Sequence, residues 1–253
     1  MLVDSGFRSL ETAAPSRHIA NMSTKKRKAD TGIDLRQQLL AALLPIVPFE
    51  GWSERALLQA AAAIGVSVPQ ALNAFPGGAA EMIAFHSAEA DARMLEALER
   101  EDMAALKVRE RIALAVRTRL TQNEPNLEAV RRGLSYLAMP QHAALATRLL
   151  YRTVDAMWLA AGDRSTDYNF YSKRLLLAGV YSSTLLVWLD DGTQDKARTW
   201  AFLERRIDNV LMIGGKFGRG MKALLDLPER MFDRRSGGLV SRARAAGFKS
   251  PRR

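Results

Sequence analysis

Apolar residues recur along this chain at intervals of three and four, and stretches of β-branched alternation are scarce. That period predicts helices throughout and no strand. Asp34 caps a first helix that runs to about Leu44, where Pro45 and Pro48 break it. Ser53 caps the next, which runs to Ile64 and stops at Gly65. Ser67 caps a short helix, Val68–Ala74, before the break at Phe75-Pro76-Gly77-Gly78. Longer helices follow over about 79–101, 106–120, 127–139, 141–161, 168–189 and 194–213. They are separated by the turn 122–125, Pro140, Gly162, the turn 190–193 and finally Gly214-Gly215.

The run Leu175–Leu189 carries no charge over 15 residues and is apolar almost all round. It is too short to span a bilayer, which takes roughly 20 apolar residues. It is therefore expected to be a buried helix of a bundle, together with the apolar positions of 143–160. Just before it, Gly162 to Asp167 form a polar stop and cap. The first two turns of the new helix, Asn169 to Arg174, then show aromatic rings and cations. Tyr and Arg are enriched where partners dock, so this corner is expected to face one.

Charge changes the picture at the two ends. The net +10 divides into +3 over residues 1–30, +8 over 216–253 and about −1 between. The N-terminal segment 1–33 is expected to be disordered, with Met22, ahead of a Lys-Lys-Arg-Lys run, as the true start. No apolar signal segment precedes it, so a cytoplasmic location is expected. In 216–232, Phe217, Met221, Leu224, Leu225, Met231 and Phe232 recur at helical spacing among Lys216, Arg219 and Lys222. A short basic amphipathic helix of this kind is expected to lie on an anionic membrane surface. The tail 233–253 is expected to be disordered.

Candidate chemistry is thin. There is no cysteine, which removes disulfides, thiolate metal sites and thiol nucleophiles. The three histidines are far apart, and Glu81 and His86 have the wrong spacing for a shared metal. No acid–base pair or nucleophile stands out. The expectation is a protein that is not an enzyme, with no metal and no cofactor.

Two helices joined by Ile64-Gly65-Val66-Ser67 make a helix-turn-helix, and Ala60 to Ser67, Phe75-Pro76 and the long helix after them resemble the TetR family. That resemblance implies a headpiece at 34–77, a ligand-binding bundle at 78–215 and dimerisation through the last two bundle helices. A DNA-reading helix needs cations or amides. Here 67–75 holds no Lys or Arg, only Gln70 and Asn73. Specific DNA binding is not expected, although a TetR-like regulator is the alternative function.

A sharper resemblance comes from residues in one order: Arg132-Gly133-Leu134-Ser135-Tyr136-Leu137, Met139-Pro140, Val154-Asp155, Met157-Trp158, Ala161-Gly162-Asp163, Ser165-Thr166-Asp167, Asn169, Tyr171, Arg174, Tyr181, Thr199-Trp200 and Phe202 through Asp208. The chain resembles the accessory family of ubiquinone biosynthesis of Coq-nine type over about 35–232. The resemblance implies a homodimeric, TetR-like protein that binds an isoprenoid quinone lipid and presents it to the di-iron demethoxyubiquinone hydroxylase. It places the hydroxylase contact at Asp167, Asn169, Phe170, Tyr171, Lys173 and Arg174, with Phe170 where animal members carry Trp. Apolar slots form between bundle helices, and Leu149, Met157, Trp158, Leu176, Val180 and Tyr181 are the candidates to line one. The implied location is peripheral, on the bacterial inner membrane or, in a eukaryote, the matrix side of the mitochondrial inner membrane.

Overall fold

The computed structural model describes residues 34–163 and 168–210, and every regular element among them is helical. We number the helices α1 (34–43), α2 (Val47–Glu50), α3 (Glu54–Ala63), α4 (Val68–Ala74), α5 (Gly78–Leu98), α6 (Val108–Thr121), α7 (Leu127–Leu137), α8 (Ala143–Ala160), α9 (Tyr168–Leu189) and α10, helical from 197 through 210. The described residues fall into two compact units. One comprises 34–105 and Ala115–Asp163, the other Leu106–Leu114 and 168–210.

In the first unit the helix ends follow from local chemistry. Ser53 Oγ accepts the Ala56 N–H at 3.1 Å and starts α3. Gly65, at φ +71°, ends it: its N–H donates to Ala62 O and the Val66 N–H to Ala61 O, at 3.3 and 2.9 Å. α8 ends in the same way. Gly162, at φ +84°, donates to Leu159 O, and Asp163 to Trp158 O, both at 3.0 Å. Both are Schellman endings, which need a residue at ease in the left-handed region.

The headpiece is not a free module. Its core of Leu39, Leu43, Val47, Leu57, Ala60 and Phe75 is continuous with Met82 and Ile83 of α5, Ala129 of α7 and Leu149 of α8. Trp52, buried between α2 and α3, donates its indole N–H to Ala129 O at 2.9 Å. Arg36 of α1 lies over the rings of Phe75 and Phe85 and pairs with Glu81 at 2.8 Å. Glu81 also accepts the Gly77 N–H at 2.8 Å, so one carboxylate both starts α5 and holds α1 to it.

In the second unit, Arg109 reaches Glu204 at 3.0 Å and Asp208 at 2.7 Å, fastening residues 106–114 to α10. Asp191 closes the α9–α10 turn. Its carboxylate accepts the backbone and hydroxyl hydrogens of Thr193 and of Thr199, at 2.6 to 2.9 Å. Burial pushes this carboxyl up, and the four hydrogen bonds more than reverse that, holding it below the usual range. Two starts differ from the sequence reading. Helix α8 is preceded by a 3-10 turn, Pro140–His142, and α10 by another, Gln194–Lys196, where Asp195 and Lys196 are left-handed.

Candidate functional site

Helix α9 has the bounds the sequence predicts, but it is not buried all round. Arg174, Leu177, Val180, Tyr181, Thr184 and Trp188 form a buried stripe at spacings of three and four. On the other side Tyr171, Leu175 and Leu186 are exposed, at 69%, 76% and 64%. The run of leucines hides this division, because a helix with apolar residues on every side gives no period to read. Helix α8 is likewise mixed: Leu149, Val154 and Met157 are buried, whereas Tyr151 and Leu159 are exposed.

The predicted partner-facing corner is redrawn accordingly. Tyr171 lies on the exposed face and Lys173 is half-buried. Arg174 does not face outward; it is only 5% exposed. It stands three residues before Leu177 and so shares the buried stripe. Asp167 and the side chains of Asn169 and Phe170 lie outside the described residues, as do all the predicted membrane-binding positions from Lys216 to Phe232. Of the lipid-pocket candidates, Leu149, Met157, Val180 and Tyr181 are buried, and Trp158 and Leu176 are half-buried.

Three consecutive hydroxyls on α9 bond to the helix itself. Ser182, Ser183 and Thr184 donate to the carbonyls of Ala178, Gly179 and Val180 at 2.6 to 2.7 Å. The half-buried Ser182 and Ser183 thus need no outside acceptor for their hydroxyl hydrogens, and neither does Thr184 in the buried stripe. Among the described residues no helix is long and apolar enough to cross a membrane, and no group of three or more His, Asp or Glu side chains is placed to hold a metal ion.

The helix in the DNA-reading position, α4, shows Val68 and Leu72 to solvent. Gln70, one of its two base-reading candidates, is engaged locally. Its side-chain carbonyl accepts the N–H and O–H of Ser67 at 3.2 and 2.7 Å.

Comparison with known proteins agrees with this architecture. The sequence profile of the COQ9 family matches residues 143–214, the stretch that holds α8, α9 and the described part of α10. A protein named ubiquinone biosynthesis protein COQ9-B, mitochondrial, from Xenopus laevis is 30% identical over 245 residues, covering 94% of this chain and 82% of that protein. The chain belongs to the COQ9 family. The COQ9 proteins of Rattus norvegicus and Homo sapiens, both named mitochondrial, are 32% and 31% identical, each over 79% of this chain. The chain spans 66% and 65% of their lengths. Among solved structures, a TetR transcriptional regulator from Nitrosomonas europaea superposes with a TM-score of 0.60 at 21% identity, over 71% of this chain and 99% of that one. The COQ9 chain described here is therefore all-α and TetR-like in fold.

Proposed function

We propose that this chain is an accessory protein of ubiquinone biosynthesis that binds an isoprenoid quinone intermediate at a membrane and presents it to the demethoxyubiquinone hydroxylase. The observation that carries the reading is the position of the two-sided helix α9 inside the segment matched to the COQ9 family. The names of the Xenopus, rat and human relatives supply the pathway. A helix that keeps Val180 and Tyr181 inside and shows Leu175 and Leu186 outside presents apolar side chains on both faces. That suits a protein that takes a greasy molecule from one apolar environment to another.

In this reading Tyr171 and Lys173 meet the hydroxylase, with Asp167, Asn169 and Phe170 in the same corner, and Arg174 supports them from within. The lipid-contact candidates are Leu149, Met157 and Trp158 in the first unit and, separately, Leu176, Val180 and Tyr181 in the second. Residues 216–232 hold the protein against an anionic leaflet, on the bacterial inner membrane or the matrix side of the mitochondrial one. The working form is a homodimer. It performs no chemistry itself, and the uncharged, self-capped α4 leaves no role in reading DNA.

The test is mass spectrometry of lipids that co-purify with the full chain under gentle extraction. An isoprenoid quinone species recovered in near-stoichiometric amount supports the reading. Its absence from a folded preparation, with phospholipid alone recovered, overturns it.

A further inference from the structure

Helix α8 turns one face to solvent. Arg148, Tyr151, Arg152 and Leu159 are all exposed, and their spacings of three, four and seven place them on one side of the helix. The opposite side is the one that packs. Leu149 joins the headpiece core, and Thr153 donates its hydroxyl to Asp91 of α5. Helix α5 therefore lies behind α8, away from the exposed face.

The two arginines stand one turn apart without a counter-charge. Other surface arginines of the first unit meet carboxylates: Arg55 pairs with Glu50, Arg100 with Glu96, and Arg131 and Arg132 with Glu128. Among the described residues Arg148 and Arg152 pair with none. Asp155, on the same side, is half-buried and bonds to neither of them. Like charges at this spacing repel and weaken a helix, and an anion lying across both reverses that. Tyr151 sets a ring with a polar tip between the two, and Leu159 adds bare methyls two turns on.

A membrane surface and an acidic protein both offer negative charge over such a length. The arrangement favours the membrane. A protein interface gathers apolar residues at its centre and keeps charge at its rim. Here arginines flank the ring, and the leucine stands apart from it. Lipid headgroups need no matched pocket: arginine meets phosphate, tyrosine sits at the boundary and leucine dips below it. We propose that this face of α8 is a second membrane-contact surface, which lays the first unit on an anionic phospholipid leaflet through Arg148, Tyr151, Arg152 and Leu159. The inference rests on the reading that the chain works at an anionic membrane. To the segment 216–232 it adds a contact made by the folded first unit itself.

The chain has no cysteine, so Ala144→Cys, exposed one turn before Arg148, carries a polarity-sensitive dye at a single position of the full chain. With vesicles of phosphatidylglycerol and phosphatidylcholine its emission is expected to shift to the blue. With phosphatidylcholine alone, or with the dye at Glu96→Cys on α5, it is expected to stay. In flotation with the mixed vesicles, Arg148→Gln combined with Arg152→Gln is expected to bind at least about tenfold more weakly at an unchanged melting temperature. Arg148→Lys combined with Arg152→Lys is expected to bind like the parent, because a headgroup layer reads charge whereas a carboxylate site on a protein reads the guanidinium fork. A chain that floats while the dye at position 144 stays unshifted overturns the proposal and leaves anchoring by 216–232 standing. A chain that does not float at all removes both, whatever lipid co-purifies with it. A glutamine variant that floats like the parent, or a dye shifted only by added hydroxylase, also overturns the proposal.

Discussion

Arg119 donates its Nε to Asp91 Oδ1 across 2.8 Å, with both side chains almost closed off from water. Thr153 of α8 donates its hydroxyl to both oxygens of the same carboxylate, at 2.9 and 3.0 Å. Asp91 thereby joins α5, α6 and α8. Breaking a buried pair strands a charge, at a cost of about 3–5 kcal/mol, while replacing both members by apolar residues is often neutral. Asp91→Asn is therefore expected to lower unfolding free energy by about that amount in urea titrations. Asp91→Leu combined with Arg119→Met is expected to recover most of it.

Histidine 86 makes stability depend on pH. Burial, then Arg119, then Arg93 lower its pKa from 6.5 to about 3. The folded state keeps the ring neutral, while the unfolded chain takes up a proton below about pH 6.5. Its contribution is thus fully present above pH 6.5 and falls by about 1.4 kcal/mol for each unit below it. The loss continues until the pH nears the folded value. Urea titrations between pH 7.5 and 5.5 check this: His86→Leu is expected to flatten the slope, and an unchanged slope would sink the assignment.

The two faces of α9 predict opposite responses to truncation. Tyr171→Ala and Leu175→Ala remove exposed rings and methyls and are expected to change stability by less than about 0.5 kcal/mol. Arg174→Ala removes a buried side chain and is expected to cost about 2–4 kcal/mol. On the proposed docking, Tyr171→Ala is expected to bind the hydroxylase at least tenfold more weakly in pull-downs while melting like the parent. If Tyr171→Ala lowers the melting temperature as much as Arg174→Ala does, the docking face has been drawn wrongly.

The end of α8 gives a local test. Gly162 sits at φ +84°, where a side chain is strained. Gly162→Ala is expected to cost about 1 kcal/mol, read as a lower urea midpoint at unchanged m-value.

Much of this architecture is legible in residue pattern. Ser53 and Gly65 bound α3 because a hydroxyl and a missing Cβ each solve a specific problem at a helix end. Gly162 does the same for α8, and α9 keeps its predicted bounds. The face that α9 buries was not legible. Leu175, Leu176 and Leu177 differ in exposure but not in chemistry, and nothing in the residue type of Arg174 announces that its register with Leu177 carries it inside. The Asp191 network was also hidden. It joins residues eight apart through a turn in which Asp195 and Lys196 adopt left-handed backbone, a conformation that neither residue type announces. His86 gave only the weak signal of a lone ring in an apolar stretch.

The hydroxyls of Ser182, Ser183 and Thr184 turn their hydrogens onto carbonyls one turn back. A helix whose hydroxyl hydrogens are spent internally demands no acceptor from whatever lies along it. The stretch of α9 between Leu175 and Leu186 thus places its hydroxyl hydrogens without help from any neighbouring element, and so holds its shape from within.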